Sequence, residues 1–560
     1  DQVIVAPVPD TAERFQPFEL TPGASLFRRE TMAPMGCLPG DVNEDGLMDV
    51  IVYYWGRTPV AFIHKTETAS QGAKLSAASY VAQEIVQGGE RWYTNAATFA
   101  DLDGDGHADL IAGNYFQDGA HILDANSPVP DEMQHSMSRA SNGGGSHLLR
   151  WTGASQGNEP SVQFSLMQGA IEGDVEGKLS HGWTLAVGAE DLDGDLLPEI
   201  YFANDFGSDR LFHNRSRPGA FHFVLLEGEK GFQTPSSKVL GHDSFKGMGV
   251  DFGDLNADGL PDIFVSNIAR EFALEESHLV FISTGQTGLM QEGVAPYIDR
   301  SEPLGLSRSG WSWDVKLGDF NNDTKLEVIQ ATGFVRGAVN RWPELHELAM
   351  GNDQLLEYPG AWPRLIPGED GLSFQEHNPF FMLAGDGRYY DVAPELGLGV
   401  PQISRGISTA DVDGDGRLDF TLANQWDDSY FYHNQSAAAG AFLGLHLRLP
   451  VTAQDAGQTK VCPGHPQANL ASFPAIGAQA TVYLPNNRRL VGQVDGGNGH
   501  SGKRSSDLHF GLGNTGEMKI RVALRWRDRA GVVRQTELEL SPGWHTVLLG
   551  GAEGGSNECR

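Results

Sequence analysis

A nine-residue acidic pattern recurs six times along the chain, and no other feature restricts the fold so tightly. It reads DVNEDGLMD from Asp41, DLDGDGHAD from Asp101, DLDGDLLPE from Asp191, DLNADGLPD from Asp254, DFNNDTKLE from Asp319 and DVDGDGRLD from Asp411. A short apolar run follows every copy (VIVYY, LIAGN, IYFAN, IFVSN, VIQAT, FTLAN). In four copies an Asn stands five positions after the last acid, at Asn114, Asn204, Asn267 and Asn424.

Oxygens at positions 1, 3 and 5 of a tight loop converge on one point, and Gly at position 6 permits the sharp turn. A carbonyl at 7 and a carboxylate at 9 complete an all-oxygen shell of the kind Ca2+ takes, with Mg2+ the second choice. No soft ligand is present for zinc or copper. The expected ligands are Asp41, Asn43, Asp45 and Asp49; Asp101, Asp103, Asp105 and Asp109; Asp191, Asp193, Asp195 and Glu199; Asp254, Asn256, Asp258 and Asp262; Asp319, Asn321, Asp323 and Glu327; and Asp411, Asp413, Asp415 and Asp419. About six structural Ca2+ ions are therefore expected, with weaker binding where Leu196 and Thr324 replace the Gly. An EF-hand would need a bidentate Glu at position 12. Val52, Ala112, Phe202, Val265, Gln330 and Leu422 stand there instead, in runs that read as strands.

The chain has 560 residues, of which 70 are Gly and 29 Pro, which favours short strands and turns over long helices. Its net charge of −33 repels phosphate backbones and anionic lipid, arguing against nucleic acid or a membrane surface as partner. No apolar run is long enough for a transmembrane helix. The chain starts Asp-Gln-Val-Ile rather than with Met, as a mature, processed N-terminus or a trimmed chain would.

First aspartates of successive copies lie 60, 90, 63, 65 and 92 residues apart. A unit of about 60 residues fits four short strands, the size of one propeller blade. The expectation is an all-β chain: a calcium-binding β-propeller over residues 1–440, seven-bladed in preference to six, then a small β-sandwich over residues 441–560. Asp124 to Gly182 and Arg336 to Gly385 read as surface excursions. The tail segments 441–449, 479–484, 518–526 and 533–540 alternate apolar and polar, as half-buried strands do.

These motifs resemble the FG-GAP/VCBS-repeat β-propellers, related in fold to the heads of integrin α subunits. The trailers Leu211-Phe212-His213-Asn214 and Phe431-Tyr432-His433-Asn434 resemble those of the cartilage acidic protein-like branch. Ile476-Gly477-Ala478, Gly496-Gly497-Asn498-Gly499, Leu508-His509-Phe510-Gly511-Leu512-Gly513 and Leu524-Arg525-Trp526 resemble the ASPIC/UnbV domain, with an insertion of about 25 residues after Leu449 as a departure. The resemblance implies a secreted, extracellular, periplasmic or cell-surface scaffold that binds a protein or glycan ligand. The alternative it leaves open is an enzyme with an axial propeller pocket, of the cyclisation or maturation type found in bacterial natural-product pathways.

No catalytic motif supports the enzyme. The GxGxxG strings at Gly497–Gly502 and Gly511–Gly516 read as turns, because no helix follows them. His346-Glu347 lacks the second His of a zincin, Met350 standing in its place. Asn322, one of three N-x-S/T asparagines with Asn214 and Asn434, lies inside an acidic loop where a sugar would not fit. Trp183, Trp311, Trp313 and Asp314 are the candidates for an axial pocket, against the commoner role of buried core. Of the three cysteines, Cys462 and Cys559 are expected in exposed, mobile segments and paired as a disulfide, with Cys37 a buried free thiol.

Overall fold

The computed structural model describes residues 1–560 except 1, 9–13, 24–26, 67–73, 136–137, 244–245, 270–275, 336, 338, 350–352, 357, 363, 367, 373–375, 438, 453–456, 468–469, 486–487, 515–517, 552–556 and 559–560. The chain is all-β, with a few short helices.

Each acidic loop joins the first two strands of an antiparallel sheet, and among the described residues six such sheets follow one another. Their first strands are Ala33–Gly40, Thr94–Ala100, Thr184–Glu190, Gly249–Gly253, Ser312–Gly318 and Ser404–Ala410. Successive first strands are neighbours, so they form the inner wall of the array. The apolar runs after the first five loops are continuous rather than alternating because both faces of those sheets are covered, whereas in the sixth Thr421 is half-buried and Ala423 exposed. Ile51 and Tyr53 pack towards the second sheet with Leu110 and Leu149. Val52 and Tyr54 point the other way, onto Leu20 and Phe18 of the N-terminal segment. The layer between sheets repeats around the array, for example Phe202 and Phe212 against Ala96 and Ile111, and Phe420 and Ile407 against Ile329 and Phe380.

The spacing favoured seven units, but both long gaps are filled by excursions within one sheet. Residues 115–145 lie between Asp109–Asn114 and Ser146–Ser155, and residues 333–379 between Glu327–Thr332 and Phe380–Leu383. The first excursion is shorter than the sequence implied. Ser146–Ser155 and Ser161–Leu166 are the outer strands of the second sheet, and their half-exposed position accounts for their polar composition.

Residues beyond 441 build two further sheets around Ala441–Pro450 and Ile520–Arg527, packed face to face over a shared core that includes Leu445, Val482, Val522 and Trp526. From them the segment Asp495–Ser505 enters the centre of the six-sheet array as a plug. The Asn498 side chain accepts from Thr98 Oγ1 (3.1 Å) and from the Ala189 N–H (2.8 Å), and donates to the Ala189 carbonyl (3.2 Å). Asp314 accepts the Gly502 N–H (3.2 Å) and the Ile407 N–H (3.0 Å), while the fully buried Lys316 spans Asp314 and the Asn498 carbonyl at 3.2 Å each. Arg504 pairs with Asp251. Glycine is required here by close approach: a Cβ on Gly496 would run into the Phe99 carbonyl, and one on Gly502 into Ile407. The first GxGxxG string is thus a plug rather than a surface turn.

Replacing Asn498 with Ala removes three hydrogen bonds in a buried site and leaves the Ala189 amide unpaired. It should cost on the order of 2–4 kcal/mol, read as a lower urea midpoint at unchanged slope. An unchanged midpoint would show the plug to be a passenger.

Candidate functional site

All six acidic loops share one hydrogen-bond scheme. The carboxylate at position 1 accepts the N–H groups of positions 5 and 6, as Asp41 does from Asp45 (3.0 Å) and Gly46 (2.7 Å), and Asp319 from Asp323 (3.0 Å) and Thr324 (2.7 Å). The carboxylate at 5 accepts the N–H of 7, as in Asp105 with His107 (3.0 Å). Positions 4 and 6 have positive φ throughout, and Leu196 (66°) and Thr324 (80°) keep the left-handed turn that Gly adopts elsewhere. The loop therefore survives both substitutions, at a steric cost greatest for the β-branched Thr.

Position 9, expected as a ligand, has a structural role in five of the loops. One oxygen accepts the N–H of position 2 and the other reaches the third strand: Asp49 binds Val42 (2.9 Å) and His64 (2.7 Å), Asp109 binds Leu102 and Trp151 (both 2.8 Å), and Asp262 binds Leu255 and Ser283 (both 2.9 Å). Glu199 and Asp419 do the same with Asn214 (3.2 Å) and Asn434 (2.8 Å). Those two asparagines stitch neighbouring sheets, since Asn214 Nδ2 donates to Leu102 and Asn434 Nδ2 to Phe320. Three of the Asn residues five positions after the last acid tie the second strand back to the first: Asn114 to Thr94 Oγ1 (2.7 Å), Asn204 to Thr184 Oγ1 (3.0 Å) and Asn424 to Ser404 Oγ (2.7 Å).

Carboxylate oxygens converge within 4.8 Å of one another in the sets Asp101/Asp103/Asp109, Asp191/Asp193/Asp195 and Asp411/Asp413/Asp419. His213 joins Asp193 and Glu199, and His433 joins Asp413 and Asp415; neither histidine was among the expected ligands. Asn43 Oδ1 and Asp193 Oδ1 are buried without a hydrogen-bond partner among the described residues. Burial, then the adjacent carboxylate, pushes Asp41 and Asp101 up to about 7, and burial with Asp319 beside it pushes Glu327 to about 9. Asp49, Asp109 and Glu199 are raised well above the usual carboxylate range, chiefly by burial. Converging hard oxygens, orphaned acceptors and mutual repulsion fit a bound divalent cation.

The loops lie beneath the C-terminal sheets, which donate to them. Arg529 meets Glu44 (2.5 Å) in the first loop, and Asp528 lies over Gly106 of the second. Arg525 and Arg527 reach the Gly194 and Leu196 carbonyls of the third (both 3.0 Å), and Arg489 reaches Asp258 of the fourth (3.4 Å). Arg488 holds Thr324 of the fifth, and Trp544 Nε1 holds Asp411 of the sixth (2.7 Å). Alternation along Ile520–Arg527 buries Val522, Leu524 and Trp526 while turning Arg525 and Arg527 to the other face.

A cavity of about 420 Å³ lies at the other end of the plug. Five of the six inner strands carry a register shift at their start, which leaves one extra residue each: Met35, Asn95, Leu185, Trp313 and Arg405. All five line the cavity, so the bulges re-aim one side chain per strand into it. Trp55, Trp311, Trp342 and Trp362 complete much of the wall, and His500 at the plug's tip lies against Trp313 (centroids 5.9 Å). Of the sequence candidates, Trp311 and Trp313 line the cavity. Trp183 is buried behind it against Tyr115 and Phe206, and Asp314 is engaged by the plug, so neither forms the wall. The bulged residues carry no sequence signal, although the WSW triplet at 311–313 marks one of them.

Cys37 is solvent-accessible rather than buried, although the protein around it still raises its thiol pKa by desolvation. Cys462 is half-buried on the strand Lys460–Pro463 rather than in a mobile loop, and Cys559 lies outside the described residues.

Residues 191–265 match the FG-GAP-like repeat family, and residues 470–556 match the family described as ASPIC and UnbV. The chain thus carries an FG-GAP-like repeat running from the third acidic loop into the fourth sheet, and a C-terminal ASPIC/UnbV domain that includes the plug. No curated protein matches it. Among solved structures it is similar to the exotype rhamnogalacturonan lyase YesX, at 13% identity over 90% of this chain and 72% of that one, with a TM-score of 0.32. It is also similar to Trypanosoma rangeli sialidase (11%, 71% and 54%, TM-score 0.33) and to Bacillus licheniformis rhamnogalacturonan lyase PL11 (11%, 72% and 72%, TM-score 0.27). No helix among the described residues is long and apolar enough to cross a membrane.

The raised carboxylates set a pH dependence. Without metal the folded chain holds more protons than the unfolded one between the ordinary Asp value of 3.8 and about 7, so their contribution to stability falls as pH rises through that window. The gap in Tm between Ca2+-loaded and chelated protein should therefore widen from about pH 5 to about pH 7.5. A gap that narrows over that range would contradict the assignment.

Proposed function

We propose that the chain is a secreted or surface-exposed β-propeller scaffold of six blades, rigidified by calcium, that binds a protein or glycan ligand. The propeller spans residues 1–440 and the ASPIC/UnbV sandwich residues 441–560. One observation supports this reading most strongly: all six acidic loops sit on one face beneath the sandwich, while the opposite mouth holds the aromatic cavity. Calcium would be structural, held by positions 1, 3, 5 and 9, with position 9 also locking the loop to its sheet. Extracellular modules bind Ca2+ with Kd of about 10⁻⁴–10⁻³ M, so about 1 mM Ca2+ adds roughly 0.4–1.4 kcal/mol per site. A native pull-down at millimolar Ca2+ tests the ligand reading; no specific partner in Ca2+ would count against it.

A second reading, an enzyme working in the cavity, draws on Tyr115, Asp205 and His500, which line it and have no part in the acidic loops. Tyr115 already donates to Asp205 (2.6 Å), and His500 Nδ1 faces the Leu185 carbonyl (2.8 Å), so all three have structural partners. The scaffold reading expects the ligand to be recovered chemically unchanged.

Dialysis against Ca2+-free buffer and readdition should restore one equivalent for each of the six loops, and chelation should lower Tm, with Mg2+ a poor substitute. Recovery of a third of that or less would overturn the calcium assignment.

We also propose the Cys462–Cys559 disulfide. In its support, Lys460–Pro463 pairs in parallel with Asn557–Glu558 and sets Val461 opposite Glu558, so each pairing ends beside a cysteine. The bridge would close a loop of about 97 residues, on the order of 4–5 kcal/mol in the chain-entropy account. Non-reducing peptide mapping should find the two joined and Cys37 alkylated; free alkylation of both Cys462 and Cys559 would refute the pairing.

A further inference from the structure

The aromatic cavity has a distinctive lining, and its ligand class can be argued from that lining once the chain is read as a binding scaffold. Its volume of about 420 Å³ suits a small ligand or the end of a larger one. Five tryptophans, Trp55, Trp311, Trp313, Trp342 and Trp362, are among the residues that line it. Pockets lined mainly by aromatic side chains with a few placed polar groups take ligands that are partly apolar.

Arg405 adds charge to that lining. Its guanidinium lies 4.3 Å from the centre of the Trp313 ring and donates to the Gly333, Phe334 and Ser404 carbonyls and to Gln425, with no carboxylate among its partners in the described residues. Asp205, the carboxylate on the cavity wall, already accepts from the Tyr115 hydroxyl (2.6 Å). A cationic or quaternary ammonium ligand would face Arg405 and Lys246. A polyphosphate would carry several charges into the field of a chain with net charge −33. An occupant with flat C–H faces for the indole-rich wall and a single carboxylate for Arg405 suits these groups together.

We propose that this cavity binds an acidic saccharide, with sugar rings against the tryptophans and a uronate-type carboxylate at Arg405. The bulges on five inner strands that build the wall, and the plug that brings His500 to it, make this a preorganised site.

The test is a tryptophan-fluorescence titration of the full chain in Ca2+ with oligosaccharides prepared from hyaluronan, alginate and polygalacturonate, each beside its carboxyl-reduced neutral form. At least one acidic probe should shift the emission saturably, and its neutral form should bind about tenfold or more weakly, the size of one charge-assisted hydrogen bond. Arg405→Gln should abolish that preference and Arg405→Lys should retain part of it, with melting curves confirming that both fold. If Arg405→Gln does not fold, the charged-against-neutral comparison on the unaltered chain still decides. Failure of all three acidic probes, or equal affinity for a neutral form, overturns the proposal. A chain that restores its calcium and captures a protein partner but none of these saccharides keeps the scaffold reading and loses this one.

Discussion

Each sheet depends on a carboxylate buried at the end of its acidic loop. Asp49, Asp109 and Asp262 are almost wholly buried, and each spends one oxygen on its own loop and the other on the third strand. In these sheets that single group closes the nine-residue turn and ties it to the third strand, whereas the second oxygen of Glu327 in the fifth accepts from Asn321 Nδ2 (3.1 Å). The cost is that two or three further carboxylates are held close by in a poorly solvated place, which raises their affinity for protons and for a divalent cation alike. Truncating position 9 would therefore unpair two backbone amides as well as remove a ligand, and a variant made only to test metal binding would test the fold too.

The same acidity organises the two halves of the chain. Six loops on one face form a ring of carbonyls and carboxylates, and the sandwich answers it mainly with Arg488, Arg489, Arg525, Arg527 and Arg529. Four of these donate to loop carbonyls, which leaves the loops' carboxylate oxygens to face one another. Arginine suits this position, because a planar fork can reach a carbonyl without collapsing onto the nearest acid. If the loops hold cations as proposed, removing one would change the geometry of the carbonyls that the arginines hold, and metal content and domain docking would be coupled through the backbone.

What was legible in the sequence was what is local. The roles of positions 1, 5, 6, 7 and 9 are met largely within the nine residues, so spacing alone located six loops, and the period-two pattern located Ile520–Arg527 and Val533–Leu540. Contacts between distant segments were not legible. Ser146–Ser155 reads as loop because an outer strand needs few apolar residues, while the preference for seven units rests on chain length alone. Asp495–Ser505 read as a turn, since nothing within it shows that Thr98, Ala189, Asp314 and Arg405 will surround it. The inner-strand bulges are decided by packing around the shared axis, so Asn95 and Leu185 could not have been assigned to the cavity by pattern.

The plug links the two ends of the array. Gln479 and Gln493, on the strands leading to it, bond Asp191 and its amide in the third acidic loop (2.7 and 3.2 Å), and the segment then passes Asn498 and Lys316 to present His500 to the cavity. Every contact on that path is a hydrogen bond or ion pair between buried or half-buried groups, which resist small displacements because unpairing any of them is costly. The third loop and the cavity wall are thus two ends of one tethered segment rather than independent sites. A cation bound by Asp191, Asp193 and Asp195, as proposed, would also steady the base of the plug and through it the position of His500 against Trp313.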